Sequence, residues 1–594
     1  MQARDQQGRR RLFCLSVILG CILLNLIFFA LVRRHVNVVF ATNDDYRMRL
    51  IVSGAYTGVP SSQASFLNDM LGRALAGLYR AFPGVEWYGL FYYGSIFLFA
   101  CTAEGLFLCR ARGLSDLGIR LACVVVFSMV ILLNHLSMLQ FTTIAAFWSA
   151  LSVTACLMYL ESDSFHAKLL WGCVYLASVF MALLVRNLVF LMFLPMELIF
   201  FCTDFLDRRS THRMSWHKLL IDVAVLGLLF VAIVDCRLAN DSATHLGKDS
   251  DFLKFRTVRS NVYDYSGWAD YDENKEFYDS IDFSKAAWDC LNARTFDVNP
   301  SVNTENLRAI RDYTNALNRV PWPKKLAKAL SGSLDSLASD QTVRELEALA
   351  FILFLLFLIA RRSSPSSKAA FLMWGSFLYC AACLVALLLR GRIMARVVQS
   401  MGIVLCAVIL YCTKDLKMPD AAPVNKDFMG RFTVAIKWTI AGVTAVALVA
   451  SSVSWLSDDD KFPHSTLQRR TDELLAMEAY MADRPNEFLF YNALDFIGGS
   501  DYVFSEPREG TLNMDSLGNW NVFSPDYYAR NAQFGFTSAL DGLLNGRALY
   551  ARLHKLTPAP IEATLNEYGK TLVKIDELEA AGDTIVIYRA VSLQ

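Results

Sequence analysis

Eleven apolar runs punctuate the chain, near residues 12–32, 87–109, 118–135, 142–160, 169–185, 187–205, 219–236, 346–360, 369–389, 394–412 and 435–456. Most approach the roughly 20 residues that a helix needs to cross a ~30 Å hydrocarbon layer. That pattern predicts a mainly α, polytopic membrane protein of about eleven transmembrane helices. Composition agrees, with 54% of the 594 residues hydrophobic and 19% charged. The net charge of +1 lacks the basic excess that a nucleic-acid partner calls for. Arg9-Arg10-Arg11 ahead of the first run has the flank of a secretory signal. The run, however, extends to Val32 without a small-x-small cleavage pattern at its end, so it is expected to stay as a helix.

Short loops rich in Lys and Arg remain cytoplasmic, and they set the orientation. With the N-terminus inside, alternate short loops carry Arg110/Arg112/Arg120, then Lys168, then Arg208/Arg209/Arg213/Lys218. Further on they carry Arg361/Arg362/Lys368 and Lys414/Lys417/Lys426/Arg431/Lys437. Every alternate loop is basic, so the assignment is self-consistent. It places the N-terminus in the cytoplasm and residues 33–86, 237–345 and 457 onward outside a cell membrane. The expected organisation is a transmembrane domain over 1–456, with 33–86 and 237–345 as outer loops, followed by an extracytoplasmic soluble domain over 457–594.

That last domain is long enough for its own core. Ser465–Arg484 has helical spacing, Glu487–Leu494 has the composition of a strand, and Leu572–Ala590 alternates around Ala580-Ala581-Gly582-Asp583 as a terminal hairpin does. An α/β or α+β domain is expected. The large loop 237–345 is charged and aromatic and ends in a helical stretch near Asp340–Ala348.

Two outer turns break the positive-inside pattern. Arg186 interrupts an apolar stretch from Leu169 to Cys202, and Arg390-Gly391-Arg392 with Arg396 crowds the turn between two helices. An arginine at the centre of a membrane helix costs about 2.5–3.5 kcal/mol on insertion scales, so it normally has a partner or a function. Guanidinium forks suit phosphate, since they donate two parallel hydrogen bonds and stay charged. A lipid-linked phosphate at the outer face would meet them; pairing with Glu104, Glu197 or Asp235, or snorkelling to head groups, accounts equally well for Arg186, whereas the three charges of Arg390, Arg392 and Arg396 exceed what a turn requires and favour phosphate.

Just beyond the first run stands Asn43-Asp44-Asp45. A carboxylate at a water–lipid boundary can take a proton from a hydroxyl. Neighbouring residues cannot both point one way, so one aspartate is expected to face the reaction while the other caps the helix starting near Tyr46. The same three residues are also an ordinary helix start. The loop continues through the turn-rich stretch 53–60 to Phe66–Tyr79, whose apolar spacing predicts an amphipathic helix in the interface.

This layout resembles the C-type (GT-C) superfamily of polyprenyl-phosphate-dependent membrane glycosyltransferases, and most of all its uncharacterised bacterial branch. Asp44 and Asp45 match that family's acidic position in the first outer loop, 46–86 its interfacial helices, and Arg186 an arginine at the outer end of a membrane helix. No WWD-type signature stands in the C-terminal domain, which separates the chain from oligosaccharyltransferases. The resemblance implies a sugar moved from a polyprenyl-phosphate donor to an acceptor hydroxyl of a cell-envelope glycan or lipid. Asp44 or Asp45 would be the base, and Arg186, Arg390, Arg392 and Arg396 would hold the departing lipid phosphate. Inversion follows from a single displacement. No cofactor is required, although Mg²⁺ or Mn²⁺ can sit between carboxylates and a phosphate. A polysaccharide polymerase or ligase using lipid-linked sugars is the nearest alternative. A transporter or lipid flippase is disfavoured by the lack of internal repeats.

Other candidates are local. Lys254-Phe255-Arg256, Arg259, Tyr263, Asp264 and Tyr265 form a basic–aromatic patch suited to binding substrate, or a solvated loop face. The stretch Asn519–Tyr528 is aromatic enough to bind glycan or to anchor a loop. His135 is expected to be structural. Of 14 cysteines, only Cys236, at the end of an apolar run, and Cys290 could meet outside the membrane, so a zinc site is disfavoured and a single Cys236–Cys290 bridge is the one outer disulfide conceivable.

Overall fold

The computed structural model describes residues 2–211, 216–243, 251–318, 323–324, 327, 330–331, 367–390, 394–415, 428–457, 464–492, 502–504 and 513–593. The run 346–360, the helical stretch 340–348, and Arg361, Arg362 and Arg392 lie outside the described residues. By contact the chain divides into two discontinuous units: Met1–Val39 with Tyr88–Arg237 and Pro323–Phe462, and Phe40–Trp87 with Leu238–Trp322 and Pro463–Gln594.

The first unit is a helix bundle. Among the described residues, eight helices are long and apolar enough to cross a membrane, and a further helix covers Phe428–Ser457. The most enclosed is Phe141–Glu161, with 94% of its apolar window buried. Its Ala145, Ala146, Ser149, Ala150, Ser152 and Ala155 are small, so neighbouring backbones approach closely.

Phe165–Ser210 is continuous as a helical segment of 46 residues, but Arg186 has φ −161 and ψ 96 and breaks it. At 1.5 Å per residue, about 70 Å of straight helix would be more than twice a bilayer core. The chain folds back instead. Lys168 near its start and Arg208 near its end both pair with Asp222, at 3.0 and 2.9 Å. Midway, Tyr175 donates to Glu197 at 2.9 Å, and the two stand at equal sequence distance on either side of Arg186. The two runs expected at 169–185 and 187–205 are therefore the arms of a helical hairpin with Arg186 at its turn.

The basic loops meet at one end of this bundle. Arg110 and Lys414 share Glu161 at 3.4 and 2.7 Å, while Lys368 and Arg208 share Asp204. Ion pairs thus tie together loops that the alternation of charge assigns to one side. Among the described residues, the intramembrane acids Glu104 and Glu197 are satisfied by neutral donors. Glu104 accepts from Asn25 and Ser128 at 2.6 and 3.1 Å, and Glu197 accepts from Ser152 and Tyr175. His135 is buried and edge-on to Phe147, as a packing residue is.

The second unit is built on a five-stranded mixed sheet. Its spatial order is Met514–Leu517, Phe488–Asn492, Ala548–Leu553, Asp583–Ser592, Lys570–Ala580. The first three strands run parallel, Asp583–Ser592 runs antiparallel to them, and Lys570–Ala580 at the edge pairs antiparallel with Asp583–Ser592. Its turn works because Ala581 and Gly582 both take left-handed φ, 52 and 82, matching the twist of the flanking strands. Helix His464–Ala482 packs Met477 and Met481 on one face with Leu489, Leu549, Ile585 and Ile587. The opposite face carries Phe488, Phe490, Phe536 and Tyr550. The expected α/β character is thus present.

Two other segments complete this unit. In the first loop, helix Asp69–Ala81 starts on Asn68, whose side chain accepts from the Met70 amide, and buries Leu71, Leu75 and Tyr79. The large loop supplies an aromatic core of Phe255, Tyr271, Tyr278, Phe283 and Phe296, joined by Val522 and Tyr527. Cys290 is a free thiol buried here against Thr564 and the Pro560 carbonyl, so it forms no bridge to Cys236.

Candidate functional site

Helix Asn43–Ser53 carries the acidic pair. Thr42 precedes it in extended conformation, Asp44 and Asp45 occupy its first turn where the helix dipole favours negative charge, and Gly54 ends it at φ 89. A side chain at Gly54 would also meet the Pro60 nitrogen at 2.7 Å, so glycine is required there twice over. The two aspartates differ in environment. Asp45 is fully buried and accepts a hydrogen bond from the Thr42 hydroxyl at 3.1 Å, tying the helix start together. Asp44 is partly exposed and lies in the field of Arg256 and Arg259.

Those arginines project from helix Asp251–Asn261, which buries Phe252, Phe255 and Val258. Arg256 donates to the Ser65 carbonyl at 3.2 Å and lies over the rings of Phe66 and Phe252 at 5.6 and 5.9 Å. Arg259 lies 5.5 Å over Phe296, and its buried Nε has no hydrogen-bond partner. Burial, then the neighbouring Arg259, lowers the Arg256 guanidinium to about 10, opposed by Asp44. Arg259 is lowered as well, by burial first and in part by Arg294. Two crowded, desolvated cations, with Asp44 near both and Asp264 near Arg259, favour an anion.

Arg294 is a residue that sequence reasoning missed. Its guanidinium lies 5.3 Å over Tyr263, whose hydroxyl donates to the Leu291 carbonyl. Its backbone takes φ 54, unusual for a side chain with a Cβ, and a Cβ on Gly518 would overlap the Arg294 carbonyl. Nothing in Asn292-Ala293-Arg294-Thr295 announces that placement. Beside it Asp297 is buried, accepts from the Gly518 amide at 2.9 Å, and leaves Oδ2 without a partner. Burial, with a contribution from Asp515, pushes its carboxyl up to about 7.

A second missed group braces the acidic helix. Arg47 donates to Asp515 at 2.7 Å and to the Ser516 hydroxyl at 2.9 Å, Tyr56 donates to Asp515 at 2.8 Å, and Arg530 pairs with Asp515 at 3.3 Å. Burial alone would raise Asp515, but Arg47, Arg530 and the Tyr56 hydroxyl more than offset it and hold its carboxyl below the usual range. Two residues further on the same helix, Arg49 pairs with Glu86 at 2.8 Å, which also accepts from Tyr79 at 2.9 Å.

The aromatic stretch 519–528 is mainly an anchor. Trp520, Val522 and Tyr527 are buried, Trp520 meets Phe66 at 5.0 Å, and Ser524 caps the helix Pro525–Gln533. The other sequence candidates belong to the bundle unit. Arg186 donates to Thr142 at 3.0 Å and lies 4.6 Å over Phe141. Arg390 is exposed at the end of helix Ser367–Leu389, and Arg396 lies in the first turn of Ala395–Thr413. Among the described residues no group of three or more His, Cys, Asp or Glu side chains converges as a metal site.

Fold and site define a class: a polytopic membrane protein whose first and large loops join a C-terminal mixed sheet in one discontinuous unit. No family model and no curated protein matches the chain. Among solved structures its fold is similar to the crystal structure of ArnT from Cupriavidus metallidurans bound to undecaprenyl phosphate, with a TM-score of 0.39 and 12% identity over 96% of this chain and 98% of that one.

Proposed function

We propose that the protein is a membrane glycosyltransferase that moves a sugar from a polyprenyl-phosphate donor to a hydroxyl of a cell-envelope glycan or lipid, on the outer face of the cell membrane. The observation that carries this reading is the desolvated Arg256–Arg259 pair beside Asp44. Asp44 is the general base, because Asp45 is enclosed and bonded to Thr42. The Asp44 carboxylate takes the acceptor proton as the acceptor oxygen bonds to the anomeric carbon. The bond from that carbon to the phosphate oxygen breaks, its electron pair leaves with polyprenyl phosphate, and the anomeric centre inverts.

The donor phosphodiester carries one negative charge and the departing monoester approaches two. Guanidiniums fixed at the phosphate therefore stabilise the transition state more than the ground state. Arg256 and Arg259, flanked by Tyr263, would meet that phosphate from the large loop. If the reaction uses a divalent cation, Asp44 is the carboxylate that would hold it, supplying charge neutralisation at the donor phosphate; activity measured with and without EDTA tests that.

Purified full-length protein in nanodiscs, given polyprenyl-phosphate sugars, should release polyprenyl phosphate and form glycoside. Asp44→Asn should lower kcat by about 10²-fold or more, within the range of a lost general base, and Asp45→Asn by less. Full activity in Asp44→Asn would remove the base assignment. Cysteine-accessibility labelling that placed residues 463–594 on the same side as the N-terminus would remove the topology.

A further inference from the structure

The acidic helix is gripped by the C-terminal sheet through a single buried carboxylate. On a helix, residues three apart share a face, so Asp44 and Arg47 lie along one edge. Arg47 is 6% exposed and gives both arms of its guanidinium to strand Met514–Leu517, one to Asp515 and one to Ser516. The strand adds a second hold on the same loop through Tyr56, and Arg530 closes Asp515 from the far side. A cavity of about 20 Å³, room for one water molecule, is lined by Tyr46, Arg47, Tyr56, Tyr491, Asp515 and Arg530. Two further hydrogen bonds and a ring contact run in parallel: Ser61 to Asp526 at 2.9 Å, Gln533 to the Thr57 carbonyl at 3.0 Å, and Phe66 against Trp520.

From this geometry we infer that Asp515 is a positioning residue for the acidic pair: acting through Arg47, the C-terminal sheet fixes the rotation and height of helix Asn43–Ser53. The domain is thereby part of the catalytic apparatus without touching substrate. A two-pronged bond between a fork and a carboxylate–hydroxyl pair restrains rotation about the helix axis, which a single contact does not. Arg49, held by Glu86, restrains the same helix from another face. Positioning of this kind matters because a displacement of about 1 Å at a reacting group costs on the order of 10²-fold in rate. The inference rests on the transferase reading for its kinetic consequence but not for its structural one, and the test separates the two.

Full-length wild type, Asp515→Asn and Ser516→Ala in nanodiscs would be compared by hydrogen–deuterium exchange and by transferase kinetics with a polyprenyl-phosphate sugar. In Asp515→Asn, amides of 43–53 should exchange faster while strands 548–553 and 583–592 keep their protection. kcat should fall roughly 10- to 100-fold with KM for the donor within about twofold, as expected for a group that orients rather than binds. Ser516→Ala, which removes only one prong, should show the same pattern more weakly. Unchanged exchange at 43–53 in both variants overturns the proposal. If Asp515→Asn also loosens the sheet, Ser516→Ala decides: faster exchange confined to 43–53 supports the coupling, and wild-type exchange there overturns it. If wild type transfers no sugar, the transferase reading fails and the exchange data alone judge the coupling.

Discussion

Asp297 is a carboxyl held in the wrong place for its charge. It is buried, it accepts from the Gly518 amide, and its Oδ2 has no hydrogen-bond partner. Burial raises it from 3.8 to about 7, and Asp515 adds to the rise. At about 1.36 kcal/mol for each tenfold change in proton affinity, the ceiling is about 4 kcal/mol. The sign follows from linkage. The unfolded carboxyl releases its proton near pH 4 and the folded one near 7, so the native state binds more protons between them and stability falls as pH rises through that window. Asp297→Asn keeps an acceptor for the Gly518 amide and removes the titration. Melting of the purified protein followed by intrinsic fluorescence at pH 5 and pH 8 should show a larger drop for wild type than for Asp297→Asn, by several degrees. At pH 8 the variant should melt higher. An equal drop in both proteins, or a variant that melts lower at pH 8, would refute the reasoning.

Gly518→Ala should cost several kcal/mol, since its Cβ would overlap the Arg294 carbonyl and its φ of 75 suits glycine; loss of yield and a lower melting temperature are the readouts. Ile587→Ala, fully buried between helix 464–482 and the sheet, should destabilise by about 2–5 kcal/mol in the same assay. Asp222→Ala leaves Lys168 and Arg208 without the carboxylate they share and should lower detergent stability of the bundle, by up to about 3–5 kcal/mol for a buried pair and less where water reaches it. Arg259→Lys replaces a planar fork with a point charge and should weaken donor turnover by about tenfold or more, read as kcat/KM for the polyprenyl-phosphate sugar.

How much of this was legible depended on distance along the chain. Membrane helices announce themselves by length and apolarity within one segment, and Arg186 was visible as an interruption because a charge in an apolar run is conspicuous. The terminal hairpin was legible because Ala580-Ala581-Gly582-Asp583 is a local turn. Strand Met514–Leu517 was not, for Asp515 and Ser516 spoil its apolar pattern and their partners, Arg47 and Tyr56, lie more than 450 residues away. In the acidic pair, sequence predicted a division of labour; the burial of Asp45 and the field of Arg256 and Arg259 at Asp44 show which aspartate is enclosed. Arg294 and Asp297 were invisible because each owes its environment to a turn around Gly518.

The span between Arg47 and Asp515 also sets a clock for biogenesis. At synthesis rates of about 5–20 residues per second, the 468 residues between them take on the order of half a minute to a minute and a half to emerge. Throughout that interval the first loop is made but its guanidinium has no carboxylate to grip. A nascent or prematurely ended chain would therefore display the acidic segment as a loose, protease-sensitive tether, and maturation of the full-length protein could be timed by the moment that segment becomes resistant.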